Sequence, residues 1–129
     1  MDYLDLFETF DKEGCLPGMN ISFGKLPWNP HPSFDGVELK HLLTSGETGG
    51  QFSFHLVRIA PGKAIGNHIH QTQLETHEVI AGSGVCVSGG TRLDYAPGVI
   101  TILPMGLPHE VRAASGGLYL FAKFIPALL

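Results

Sequence analysis

Residues 62–82, GKAIGNHIHQTQLETHEVIAG, gather His68, His70, Glu75, His77 and Glu78 among glycines and apolar residues. Side chains two apart on a strand share a face. The imidazoles of His68 and His70 would then stand about 6–7 Å apart at Cβ and could share one ion, with Ile69 on the opposite side. The polar stretch QTQL that follows is long enough to turn the chain and present the Glu75 carboxylate from the next strand. A metal gathers ligands that are distant in sequence, so a further arm is expected elsewhere. A second cluster, GVITILPMGLPHEV at 98–111, has Pro104 and Gly106 in a tight turn that delivers His109 onto the start of a strand.

Around these residues stand others with two readings each. His77, two beyond Glu75, should face the same side, either touching a ligand or substrate or serving as a hydrogen-bonded strand histidine. Glu78 reads as a solvated face residue. Arg58 alternates with Phe52, Phe54 and Leu56. If that face is internal, its guanidinium is an anchor for a substrate carboxylate; otherwise it reaches solvent from the strand. Trp28 and His31 either line the mouth of the domain or staple an N-terminal arm to a neighbouring subunit, while His41 and His55 receive no role.

The elements that must position these groups read as strands. Alternation runs through VELKHLLT and QFSFHLVRIA, with Ser53, His55, Val57 and Ile59 opposite the Arg58 face. GVCVSGGTRLDYAPG has the outline of a hairpin turning at Gly89 and Gly90, and VITILP and LYLFAKFIP complete about eight or nine strands. Such a set with Gly/Pro turns and no long helix predicts a closed all-β sandwich or barrel, which removes exposed edges. Residues 2–10 carry apolar positions at helical spacing, a short helix or docking arm, and the Pro/Gly-rich stretch that follows is expected to wrap the domain. Residues 1–33 are thus read as arm and wrapping segment, and 34–129 as the barrel.

Composition narrows the class of function. With 129 residues, 43% hydrophobic, the chain should bury one core without disulfides or a structural metal, so a metal would be functional. A net charge of −4 with scattered Lys and Arg offers no field for nucleic acid. No segment reads as a signal peptide or membrane span, so a cytoplasmic protein with no membrane partner is expected. Cys15 and Cys86 indicate no disulfide framework, and Cys86 in VCV reads as a small buried hydrophobe.

The two clusters resemble the paired motifs of the cupin superfamily. Gly62, five residues, His68-x-His70, four residues, Glu75, six residues, Gly82 is similar to the first; Gly98, five residues, Pro104-x-Gly106, two residues, His109 is similar to the second. The gap between them, 83–97, has the length seen in small microbial cupins. One departure is Ala113, where the second motif usually ends in Asn; that Asn is not a ligand. The resemblance implies a double-stranded β-helix, or jelly roll. It also implies one divalent ion, Fe, Mn, Ni, Co or Zn, held by His68, His70, Glu75 and His109, with two positions open to water, dioxygen or a chelating substrate. The absence of thiolate argues against a closed structural zinc site.

From this follow the functional expectations. The leading one is a small metalloenzyme, of dioxygenase, decarboxylase or isomerase/lyase type, acting on a carboxylate, keto-acid or sugar. Glu75 or His77 is then the base where a proton moves, and Arg58 the substrate anchor. The alternative is a non-catalytic cupin that senses a sugar or metabolite. A homodimer is expected, using the N-terminal arm and LFAKFIPALL.

Overall fold

The computed structural model describes residues 2–129. Its elements are α1 (Tyr3–Lys12), β1 (Cys15–Leu16), β2 (Ile21–Ser22), β3 (Asn29–Pro30), β4 (Val37–Leu43), α2 (Ser45–Thr48), β5 (Ser53–Ile59), β6 (Ala64–His68), β7 (Leu74–Ser88), β8 (Thr91–Tyr95), β9 (Ile100–Leu103) and β10 (His109–Ile125). Pairing is antiparallel throughout.

Two long strands, β7 and β10, organise the molecule because each serves two sheets. Their outer halves, Gly84–Ser88 and His109–Ala113, pair with β8 and β6; their other halves, Leu74–Gly82 and Leu118–Ile125, pair with β9 and β5. The second sheet continues through β4 to β3. The corner falls where the register shifts between Ala113 and Leu118. There Gly82 adopts φ +75°, and a Cβ on it would meet the carbonyl oxygen of Gly117 at 2.1 Å. Only glycine permits both the left-handed backbone and that approach. The result is the all-β jelly roll the sequence predicts, with a short N-terminal helix.

One core fills the barrel, from Val57, Ile59, Val79, Val111, Leu118, Leu120 and Phe124 among others. A second lies on the outer face of the larger sheet, where Leu56, Ile80 and Ala81 pack under Phe7 of α1. Helix α1 is capped by the Asp2 carboxylate, which accepts the Leu4 N–H, and it turns its apolar stripe to the sheet. Beneath it Lys40, 2% exposed, pairs with the Asp11 carboxylate and donates to the carbonyls of Asp11 and Phe23. The N-terminal segment therefore closes over its own barrel, and β10 lies inside the sheet. The two segments expected to join subunits are both used within the chain. The sheet also begins earlier than residue 34, since Asn29 and Pro30 already pair with β4. Among the described residues no helix is long and apolar enough to cross a membrane.

Candidate metal centre

The four residues singled out by spacing meet at one end of the barrel. His68 closes β6 and stands in register with His109, the first residue of β10. Glu75 opens the inward-facing row of β7 and is paired with Phe124. His70 lies beyond the end of β6, not on a strand as its spacing predicts, because the chain is already turning toward β7. Its place is secured by the Gly106 N–H, which donates to the His70 carbonyl at 2.9 Å and ties the loop of one motif to the turn of the other. Gly106 takes φ +77° in that turn.

Hydrogen bonds orient the rings. His68 Nδ1–H donates to the Gly66 carbonyl at 2.8 Å and His109 Nδ1–H to the Leu107 carbonyl at 3.1 Å. A carbonyl can only accept, so Nδ1 carries the hydrogen and Nε2 keeps its lone pair. His68 Nε2 lies 3.1 Å from His70 Nε2, and Glu75 Oε1 lies 3.4 Å from His70 Nε2 and 3.0 Å from His109 Nε2. The last pair is close but not aligned for a hydrogen bond, and both buried atoms lack a hydrogen-bond partner. All four donor atoms fall within 4.8 Å of one another. An ion about 2.1 Å from each donor would hold neighbouring donors about 3.0 Å apart in octahedral and about 3.4 Å apart in tetrahedral geometry. These three pairs match those edges, and the cluster could hold one metal ion.

The electrostatics agree. Burial lowers His68 and His70, favouring the neutral ring that ligation needs. Burial alone would raise the Glu75 carboxyl, but His77 and His109 beside it hold it well below the usual carboxylate range. Burial likewise works to lower His109, and the Glu75 carboxylate more than offsets it, so His109 is raised. A cation arriving at the cluster would take the place of the proton that His109 and Glu75 compete for.

Behind Glu75 runs a buried chain of hydrogen bonds. His77 Nε2–H donates to Glu75 Oε2 at 2.7 Å, and His77 Nδ1 is hydrogen-bonded to the Tyr95 hydroxyl at 2.8 Å. Burial pushes the Tyr95 phenol up, keeping it protonated. Tyr95 is invisible to the motif because it lies on β8 opposite Gly84, and its side chain meets His77 only in the folded barrel. Its alternation within the hairpin signals an inward side chain, but nothing in the sequence names what it meets.

The pattern of the cupin domain family matches residues 55–120, a span covering both motifs. The chain is a cupin. Among solved structures the fold is similar to a predicted oxalate decarboxylase from Thermotoga maritima (TM-score 0.73, 21% identity, 80% of this chain and 95% of that one). It is also similar to an RmlC-like cupin from Shewanella frigidimarina (0.70, 15%, 81% and 87%) and to ectoine synthase from P. lautus (0.66, 23%, 72% and 66%). At these identities the likeness is one of fold. No curated protein is similar to the chain in sequence.

Not every expected residue joins the cupin's cluster. A cavity of about 280 Å³ beside it is lined by Phe34, Leu39, Val57, Ile65 and Phe124, with His31 at its edge. Arg58 is not there. It sits on the opposite face of β5, where its Nε donates to Glu38 at 2.9 Å and its guanidinium stacks over Trp28 at 4.0 Å. The internal-anchor reading of Arg58 is thereby corrected: the inward row of β5 is Ser53, His55, Val57 and Ile59. A larger cleft, about 640 Å³, lies on this outer side between α1 and β5, away from the cluster. Trp28 belongs to that outer side and His31 to the cavity. Glu78 faces outward as read, paired with Lys123 at 2.6 Å.

Proposed function

We propose that this cupin is a metal-dependent enzyme acting on a small, oxygen-rich, chelating metabolite. His68, His70, Glu75 and His109 would hold one divalent transition ion, from Fe, Mn, Ni, Co or Zn. The observation that carries this is the pair of buried, unpartnered atoms, Glu75 Oε1 and His109 Nε2, in a cluster spaced as a coordination shell. Such an ion supplies charge that polarises substrate oxygens or stabilises an enolate. The chain's own residues do the rest. His77 engages Glu75 Oε2 and leaves Oε1 for the cluster, and Tyr95 fixes the His77 ring. Where a proton moves, Glu75 and His77 are the groups placed to hold it, and the apolar cavity wall keeps water away. Decarboxylase and synthase among the structural relatives fit a site whose reaction type is set by the substrate.

The second reading is a binder that senses a metabolite and returns it unchanged. It is favoured by one observation: both ring nitrogens of His77 are engaged in hydrogen bonds. A homodimer belongs to either reading, supported by Ile100 and Ile102, more than 60% exposed on the edge strand β9. So does a reducing, cytoplasmic setting, supported by the free Cys15 and Cys86.

The test incubates metal-loaded protein with chelating acids and sugars, under air and under argon, and follows them by mass spectrometry. An enzyme converts at least one of them, and Glu75→Gln, which keeps three histidines, loses that turnover. Every bound compound returned intact over hours would establish the binder instead.

A further inference from the structure

The cavity beside the cluster is walled largely by apolar side chains. Its walls are Phe34, Leu39, Val57, Ile65, Phe124 and Leu128, and no Lys or Arg lines it among the described residues. Glu75 is the one acid in its lining. At its edge His31 Nδ1 accepts the backbone N–H groups of Ser33 and Phe34, at 3.0 and 3.3 Å. An Nδ1 that accepts twice carries no hydrogen, so His31 is held neutral, with Nε2–H its remaining donor. The mouth thus offers a neutral hydrogen-bond donor where a dianion would need a cation.

Charge and volume then select the ligand. A divalent ion together with the Glu75 carboxylate sums to one positive charge, which a monoanion neutralises. A dianion would leave one negative charge facing apolar walls with no arginine or lysine to pair it. A sugar would turn some hydroxyls toward Ser33, His31, His77 and the cluster, but those facing the apolar walls would go unbonded. At about 280 Å³ the cavity lies just below the range of about 300–1,000 Å³ common for small-molecule sites, so the ligand is compact. We infer that the substrate is a small chelator with a compact apolar body and at most one negative charge, such as a branched aliphatic 2-oxo monoacid. This rests on the metal-site reading above and narrows it. Oxalate, a dianion, falls outside the class.

The experiment uses full-length protein loaded with Co²⁺. Cobalt binding is first read from its visible absorption and by calorimetry. Three probes are then titrated: 4-methyl-2-oxopentanoate, the similarly sized dianion 2-oxoglutarate, and galacturonate. The expected result is binding of the branched monoacid at least tenfold tighter than either other probe, with the largest change in the cobalt spectrum. In Ser33→Arg, where an exposed side chain at the mouth becomes cationic, 2-oxoglutarate should gain at least fivefold and the monoacid little. Cobalt bound with the three probes equal, or with the dianion or sugar preferred, overturns this inference alone. An S33R protein with no gain for the dianion also overturns it, since charge would then not be the selector. Failure to bind cobalt overturns the metal-site reading together with it.

Discussion

Two histidine clusters share the inner face of the barrel, and they differ in what each leaves unbonded. In the first, His55 Nδ1 meets His41 Nδ1 at 2.8 Å, and His55 Nε2 meets Ser53 Oγ at 2.8 Å. Ser53 Oγ in turn accepts the Leu128 N–H at 2.9 Å. Facing nitrogens can share only one hydrogen, so the pair is satisfied without carrying charge. Its product is structural: it pins the C-terminal tail, which also bonds Ser45 and Gly50. In the second cluster the Nδ1 atoms of His68 and His109 are tied to carbonyls, while Glu75 Oε1 and His109 Nε2 lack hydrogen-bond partners. Buried polar atoms are rarely left so, and a site that leaves two side by side is built for something further. Histidine content alone does not separate the two; saturation does.

The largest expected effect separates them by metal. Replacing His68, His70 or His109 by Ala removes one of the four proposed ligands. If the whole site is worth about 10–16 kcal/mol, as in structural zinc peptides, each loss should weaken affinity roughly a hundredfold or more. Ser53→Ala and His55→Asn should leave cobalt affinity within about threefold while lowering the melting temperature, because a buried partner is lost. Equilibrium dialysis against Co²⁺, paired with thermal melts, reads both. Equal metal loss from the two clusters would dissolve the distinction.

A second test uses pH. Burial, with His41 beside it, pushes His55 down to about 4. The folded pKa lies below the unfolded value of about 6.5, so the unfolded chain takes up the proton first. Stability associated with this group is therefore intact above pH 6.5, falls as pH drops toward 4, and levels off below. That lowering corresponds to about 3 kcal/mol at most. Urea denaturation of metal-free protein across this window should show the fall, and His55→Asn should flatten it. Parallel slopes in the two proteins would exclude His55 as the source.

The smallest effect sharpens the second cluster from behind. Tyr95→Phe removes the hydroxyl that orients His77 without changing a ligand. Cobalt affinity should fall about tenfold, as for other outer partners of metal ligands. The same variant would leave affinity untouched if His77 were only a strand histidine.

These contrasts also mark how far the sequence could be read. The four-residue cluster was legible because His68-x-His70, Glu75 and His109 keep fixed distances from glycines and a proline that the turns require. The strands were legible from their alternation. What alternation could not give was which face of β5 points inward, since Leu56 and Val57 are both buried, one under α1 and one in the barrel. Arg58 was ambiguous for that reason. Nothing in VELKHLLT marks Lys40 as buried; it is buried because α1 brings Asp11 to it from outside the barrel. The Tyr95–His77 and Ser53–Leu128 contacts join residues 18 and 75 positions apart, and only the folded barrel brings them together.

The central claim is that His68, His70, Glu75 and His109 form one coordination site. An anomalous-difference map from crystals grown with Co²⁺, measured on both sides of the cobalt edge, tests it directly. The account predicts one dominant peak, about 2.0–2.2 Å from the Nε2 atoms of the three histidines and from Glu75 Oε1. A map with no peak among these four residues, or with its strongest peak at His41 and His55 instead, would contradict it.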